Sequence, residues 1–192
     1  MSQDLTDRVR IRDETVLSRK RYKLSEIAFD YRRGDGTWQS QTREIFDRGH
    51  AAAVLPFDPE RGTVILIRQF RLPCFLAGYR EPLVEVIAGA LDGDAPEACA
   101  RREAMEEAGL EVSGLELVSA CFMSPGAITE RIHLFTGRYR RIAKGGGLEN
   151  EGEDIEVLEL PLAEALAMVK SGAICDAKTI ILLQFAKAVI PG

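Results

Sequence analysis

Hydrophobic positions along the chain change period several times, and each change marks an element. Ile27, Phe29 and Tyr31 alternate with polar residues, the period of a half-buried strand. Asp35-Gly36 then supplies a turn, and Thr37–Phe46 returns, so Tyr22 to Asp47 is expected to form a hairpin. Residues 1–20 are charged and weakly periodic, which fits a tail or a short first strand. Ala51–Pro56 and Thr63–Phe70 form a second strand pair. Val64-Ile65-Leu66-Ile67 is apolar on both faces, as in a central buried strand. Residues 72–81 have no period and are expected to be an irregular loop. Pro82–Ile87, Glu116–Met123, Ile132–Arg138 and Ile155–Leu160 complete the strands. The spacing turns helical over Pro161–Lys170, where Leu162, Ala165, Leu166 and Val169 share a stripe ended by Gly172. It does so again over Ala177–Val189. Many strands with a few helices predict an α/β fold in which a mixed sheet lies between helices.

The stretch from Ala88 to Leu110 organises the rest. It reads as a loop, Ala88-Gly89-Ala90-Leu91-Asp92-Gly93-Asp94, entering a helix. Asp94 is placed to cap free N–H groups, with Glu97 completing a capping box, and Pro96 is tolerated in the first turn. Gly109 stands where a left-handed glycine would end the helix. On a helical wheel Glu103, Glu106 and Glu107 share one third of the circumference. Ala98, Met105 and Ala108 lie opposite, toward an expected core. Cys99 and Ala100 sit beside the acids and are small enough to admit a close approach. Like charges at these spacings cost about 0.2–0.5 kcal/mol per pair, and no Lys shares the face. A hard divalent cation would relieve them, since Mg²⁺ and Mn²⁺ prefer oxygen ligands. A bare E-x-x-E-E is more often a solvated face.

Charge narrows the function classes. The 192 residues carry a formal net charge of −5, which argues against a general nucleic-acid or membrane-surface binder. No apolar run is long enough for a membrane span, and the N-terminal stretch has no secretory character. Cys74, Cys99, Cys121 and Cys175 lack C-x-x-C spacing, so reduced thiols in a cytoplasmic protein are expected. His50 and His133 are read as structural. Arg68 and Arg71 emerge at a strand end, where they are either solvated or in contact with phosphate. Gly145-Gly146-Gly147 leads into Glu149, Glu151, Glu153 and Asp154. This acidic loop is either solvated or folds over a metal, with the glycines permitting closure. Lys178 falls in the first turn of the last helix, where a cation is slightly unfavourable, a weak hint of a ligand.

Arg102, Glu103, Met105, Glu106, Glu107, Gly109 and Leu110 match the second half of the Nudix box, R-E-U-x-E-E-x-G-U with U aliphatic, and Ala104 is small at the first U. The front half is one residue short, with Asp94 or Ala95 where Glu is usual. Thr42-Arg43-Glu44, Leu66–Arg71, Met123–Gly126, Thr129-Glu130, Glu153–Pro161 and Asp176–Thr179 extend the likeness. The chain thus resembles the ADP-ribose pyrophosphatase-like branch of the Nudix hydrolases, nearest its members acting on GDP-mannose. The resemblance implies an α/β/α sandwich over residues 46–192 and an N-terminal antiparallel extension over 1–45, exchanged across a homodimer. It implies Mg²⁺, with Mn²⁺ as a possible substitute, on Glu103, Glu107, Glu153 and the Ala88 carbonyl. Glu106 would assist, as a ligand or by holding metal-bound water, and Glu151 or Glu153 would act as the base. Substrate contacts would come from Arg43, Glu44, Arg71, Ala88, Gly89, Ala90, Glu130 and Lys178. At Arg21 the matching position is often aromatic. The implied reaction is hydrolysis of GDP-mannose to GMP and mannose 1-phosphate. ADP-ribose, giving AMP and ribose 5-phosphate, is the alternative substrate, and a non-catalytic nucleotide-sugar sensor the alternative class. No nucleic acid and no membrane is implied.

Overall fold

The computed structural model describes residues 4–147 and 154–189. These divide into two compact units, Met1–Gly49 with Ser124–Glu130, and His50–Met123 with Arg131–Gly192. Among the described residues no helix is long and apolar enough to cross a membrane.

The first unit is an antiparallel sheet in the order β1-β2-β3: β1 (Val9–Arg19), β2 (Lys23–Arg32) and β3 (Trp38–Asp47). The expected hairpin is β2–β3. Its turn is closed by Gly36 N–H on the Arg33 carbonyl at 3.0 Å and by Asp35 Oδ1 on the Thr37 N–H at 3.0 Å. The first stretch is a full strand of 11 residues rather than a tail. Most of its side chains stay exposed, so burial imposes no period on it. Asp30 is buried on this sheet, and the Ser40 hydroxyl donates to it at 2.7 Å. Hydrogen bonds from Ser40 and from Arg12 hold its carboxyl below the usual range.

The second unit is a three-layer sandwich around a mixed sheet. Its strands are β4 (Ala51–Asp58), β5 (Thr63–Gln69), β6 (Leu83–Glu85), β7 (Ile87–Ala90), β8 (Leu110–Phe122), β9 (Arg131–Arg141) and β10 (Ile155–Pro161). The order is β10-β5-β4-β9-β8, with β4 and β9 parallel and the other pairs antiparallel. β4 and β5 pair only at Phe57–Val64 and Asp58–Thr63, and then part. β6 fills the opening on the β5 side and β7 on the β4 side. The expected single strand over Pro82–Ile87 is therefore two strands, and the chain crosses between them at Val86.

On one face α3 (Leu162–Ser171) and α4 (Ala177–Val189) contribute Ala165, Leu182, Leu183 and Ala186 to a core with Leu55, Val64, Leu66 and Leu134. On the other, α2 (Pro96–Ala108) lays Cys99, Ala100, Ala104 and Ala108 against Ile65, Ile67, Ile87 and Phe135. Each face buries alternate residues of β5, which is why that strand reads as apolar throughout. Residues 72–81, expected to be irregular, begin with a short helix, α1 (Leu72–Leu76).

Candidate active site

α2 ends as its sequence requires. Gly109 is left-handed at φ 65°, and its N–H closes on the Met105 carbonyl at 3.0 Å. Its start differs from expectation. Ala95 is the N-cap with no side-chain cap bond, and Asp94 instead pairs with Arg102 at 3.3 Å, so the capping box is not formed. The buried face differs too. Ala108 is buried as expected, but Ala98 and Met105 are exposed, while Cys99, Ala100 and Ala104 face the sheet. Size selects this face. Small side chains let the helix backbone lie close to β7, and this brings the acids down onto the strand.

Glu103 and Glu107 converge on the Ala88-Gly89 backbone. Glu107 is 3% exposed, and its Oε2 accepts the Ala88 N–H at 3.2 Å. A Cβ built on Gly89 would overlap the Glu103 carboxylate, so glycine leaves room for that group. Burial, with the charge of Glu103 adding to it, pushes the Glu107 carboxyl up to about 8. Glu106 is half-buried and faces Arg102, whose Nη1 lies 3.0 Å from Glu106 and 2.7 Å from Glu103. The acidic face is thus relieved on one side by an arginine from the same helix. The Arg102 Nη2 also donates to the Ala90 carbonyl at 3.2 Å. Cys99, beside these groups, has its thiol pushed up to about 11 by burial and by Glu103.

The far end of the helix anchors the glycine run. Gly146 N–H bonds the Glu107 carbonyl at 2.9 Å and Gly147 N–H the Glu106 carbonyl at 3.2 Å. A Cβ on Gly145 would overlap Ala108. These glycines therefore let two backbones touch and satisfy helix-end carbonyls, a role beyond the freedom to swing expected of them. Glu151 and Glu153 lie outside the described residues.

Behind the acids lies a buried charge chain that sequence reasoning missed. Glu85 is 1% exposed. Its Oε1 accepts from Arg71 Nε at 2.6 Å and its Oε2 from Lys178 Nζ at 2.6 Å. Lys178 also donates to Asp176 Oδ1 at 2.8 Å. Asp176 caps α4 through the Thr179 N–H at 2.9 Å, and the Thr179 hydroxyl accepts the Val86 N–H at 2.8 Å. Burial alone would lower the Lys178 ammonium, but Glu85 and Asp176 outweigh it and hold it raised. The unfavourable place of Lys178 near a helix N-terminus is thus offset by two carboxylates.

The Nudix domain profile matches residues 47–183, and the profile of the GDP-mannose pyrophosphatase NudK N-terminal domain matches residues 8–46. The chain belongs to the Nudix family. A Citrobacter koseri protein named GDP-mannose pyrophosphatase is 44% identical over 185 residues, covering 94% of this chain and 96% of that one. One of the same name from Yersinia pestis is 45% identical over 176 residues, covering 90% and 88%. A crystal structure of an ADP compounds hydrolase shares the fold, with a TM-score of 0.71 at 19% identity over 97% of this chain and 98% of that one. The fold is the mixed α/β fold of Nudix proteins, with antiparallel N-terminal strands.

Within this Nudix chain the second unit gathers Glu103, Glu106, Glu107, Ala88, Gly89 and Ala90 at the α2–β7 contact, and Arg71, Glu85 and Lys178 in the chain behind it. Arg43, Glu44 and Glu130 belong to the first unit. There Arg43 donates to the Thr42 carbonyl and to Gln41 Oε1, both at 2.7 Å, and Glu44 is exposed opposite Glu26. Glu130 is buried and lies 3.2 Å from Arg48 Nε. The Arg21 guanidinium lies over the neighbouring Tyr22 ring at 5.6 Å.

The donor set suits a hard divalent cation. It offers two carboxylates converging on a strand whose carbonyls are also oxygen donors, and one of the carboxylates is buried at a cost that a cation would offset. Among the described residues no three Asp, Glu, His or Cys side chains are gathered as a cage.

Proposed function

We propose that this Nudix chain hydrolyses the pyrophosphate bond of a nucleoside diphosphate sugar, with GDP-mannose as substrate and GMP and mannose 1-phosphate as products. The site observation that carries the reading is the buried Glu107 beside Glu103 over Ala88-Gly89, an arrangement that wants a cation. Relatives named for this reaction, similar along nearly the full chain, support the substrate.

Glu103, Glu107, Glu153 and the Ala88 carbonyl would hold Mg²⁺, with Mn²⁺ as substitute. Bound there, the metal supplies positive charge against the diphosphate and Lewis acidity for an attacking water. Arg71 presents guanidinium N–H groups to phosphate oxygens, which suit a planar fork. The Ala88–Ala90 backbone borders the diphosphate. Glu106 holds Arg102 beside Glu103 and keeps that carboxylate in place. Glu151 or Glu153 takes the proton of the attacking water as its oxygen bonds to phosphorus and the bridging P–O bond breaks.

Residues 1–45 act as a dimerisation extension to the 46–192 catalytic domain. In a homodimer with exchanged strands, Arg43 and Glu44 serve the partner's site, and Glu130 adds a substrate contact. Lys178 acts from behind Glu85. The enzyme works in the cytoplasm.

Mass-spectrometric analysis of products tests the reaction. GDP-mannose with Mg²⁺ should give GMP and mannose 1-phosphate, with kcat/KM above that for ADP-ribose. No GMP, or a preference for ADP-ribose, rejects the substrate. Glu107→Gln should lose at least about 100-fold in kcat, in keeping with loss of one charge-stabilising group, with the fold retained. Full turnover in that variant rejects the metal site.

A further inference from the structure

Glu85 has no place in the chemistry above, yet it is the most deeply buried acid near the site. It stands on β6 opposite Ile67 of β5, with 1% of its surface exposed. Each of its oxygens is taken by a different cation, Arg71 Nε at 2.6 Å and Lys178 Nζ at 2.6 Å. Desolvating a carboxylate is costly unless it is paired and hydrogen-bonded, so both bonds are needed for it to be there. The cluster of Arg71, Lys178, Glu85 and Asp176 has two positive and two negative members, so it adds little net field to draw an anion in. What it adds is orientation.

Arg71 lies two residues past the end of β5 as the N-cap of α1, with an extended backbone at φ −125°, ψ 104°, so its backbone is held while its side chain stands outside the regular positions of either element. Glu85 engages the guanidinium at Nε. Because the group is planar, a grip at Nε leaves the edge formed by the two Nη groups free for a second ligand. The Arg71 side chain keeps 39% of its surface exposed, whereas Lys178 keeps 13% and spends its ammonium on Glu85 and Asp176. Lys178 thereby fixes the carboxylate that fixes Arg71.

We infer that Glu85 is a positioning residue for substrate. It holds Arg71 by Nε so that the two Nη groups face the diphosphate, and Lys178, braced on Asp176, locks the opposite oxygen. This rests on Arg71 being a phosphate contact.

The test is a double-mutant cycle with GDP-mannose and Mg²⁺, reading KM, kcat and Tm for wild type, Glu85→Gln, Arg71→Ala and the double variant. A residue that orients a binding group should shift KM and spare kcat. Glu85→Gln should raise KM about tenfold with kcat within about threefold of wild type. In the Arg71→Ala background the same change should alter KM by less than about twofold, because it has nothing left to orient. A folded Glu85→Gln with unchanged KM overturns the inference. So does a rise in KM by the same factor in both backgrounds, which is the behaviour of a group that only supports the fold. If Glu85→Gln fails to fold, Glu85→Asp takes its place in the cycle. It keeps the charge but withdraws the carboxylate by one methylene, with the same coupling expected. If Arg71→Ala itself leaves KM unchanged, the assignment of Arg71 to phosphate falls and the inference falls with it. That failure is distinct from a raised KM in Arg71→Ala beside an unchanged one in Glu85→Gln.

Discussion

Glu107→Gln should stabilise the metal-free protein while it lowers kcat by at least about 100-fold. The Glu107 carboxyl is 3% exposed and is pushed from 4.5 up to about 8 by burial and by Glu103. Below pH 4.5 the group is protonated in both the folded and unfolded chain and contributes nothing. As pH rises from 4.5 toward 8, the unfolded chain releases a proton that the folded chain retains, so stability falls. At 1.36 kcal/mol per unit, the loss is about 3 kcal/mol at pH 7 and about 5 kcal/mol above pH 8. Relaxation and water penetration around a buried charge reduce this, so about 2–3 kcal/mol is the expected effect near neutrality. Glutamine cannot ionise, and its carbonyl can accept the Ala88 N–H in place of the carboxylate. Urea denaturation of EDTA-treated protein at pH 5, 7 and 8 reads the difference. The wild type should lose stability across that range and the variant should not, with the variant ahead at pH 8. In a chain of this size the difference corresponds to about 5–10 °C in Tm. Saturating Mg²⁺ should reverse the order, since only the wild type gains from binding. A variant less stable than wild type at pH 8 without metal, or a wild type whose stability is flat from pH 5 to 8, refutes the reasoning.

Two further substitutions probe the geometry around those acids. Gly89→Ala places a methyl where the Glu103 carboxylate lies. Because the obstacle is the end of a side chain, the fold should survive with a near-wild-type Tm, while metal affinity by calorimetry falls about 10–100-fold, as for other displaced ligand supports. Thr179→Val removes the hydroxyl that accepts the Val86 N–H at 2.8 Å. A buried donor left unpaired costs about 1–3 kcal/mol, to be read as a lower urea midpoint with an unchanged slope.

The sequence located α2 well because its ends are marked by local chemistry, Pro96 at the start and Gly109 in the left-handed turn. It placed Ala108 in the core rightly and Ala98 and Met105 there wrongly. The wheel favoured Met105 by hydrophobicity, whereas the sheet takes Cys99, Ala100, Ala104 and Ala108 by size. The helix α3 was legible from its stripe; α4 was legible as a helix but not by its buried face, since it buries Thr179, Leu182, Leu183 and Ala186 and leaves Ile181 exposed. β1 was not, since its exposed side chains carry no period. Nothing in Leu83-Val84-Glu85-Val86-Ile87 announces a strand break or a buried acid. The partners of Glu85 lie 14 and 93 positions away, so its role exists only once β5, β6 and α4 have met. The Glu103, Glu106 and Glu107 grouping was visible from spacing. Its relief by Arg102 depends on the long guanidinium side chain folding back along the helix, which spacing alone does not fix.

The bonds from Gly146 and Gly147 to the last carbonyls of α2 carry a consequence for redesign. They pin the polypeptide at a fixed point beside the acids before the acidic stretch begins. Lengthening the chain upstream of Gly145 would break that pin and uncover the carbonyls of Glu106 and Glu107. Lengthening it downstream of Gly147 would leave the pin untouched. An engineer can therefore edit the chain after Gly147 without disturbing the C-terminal carbonyls of α2.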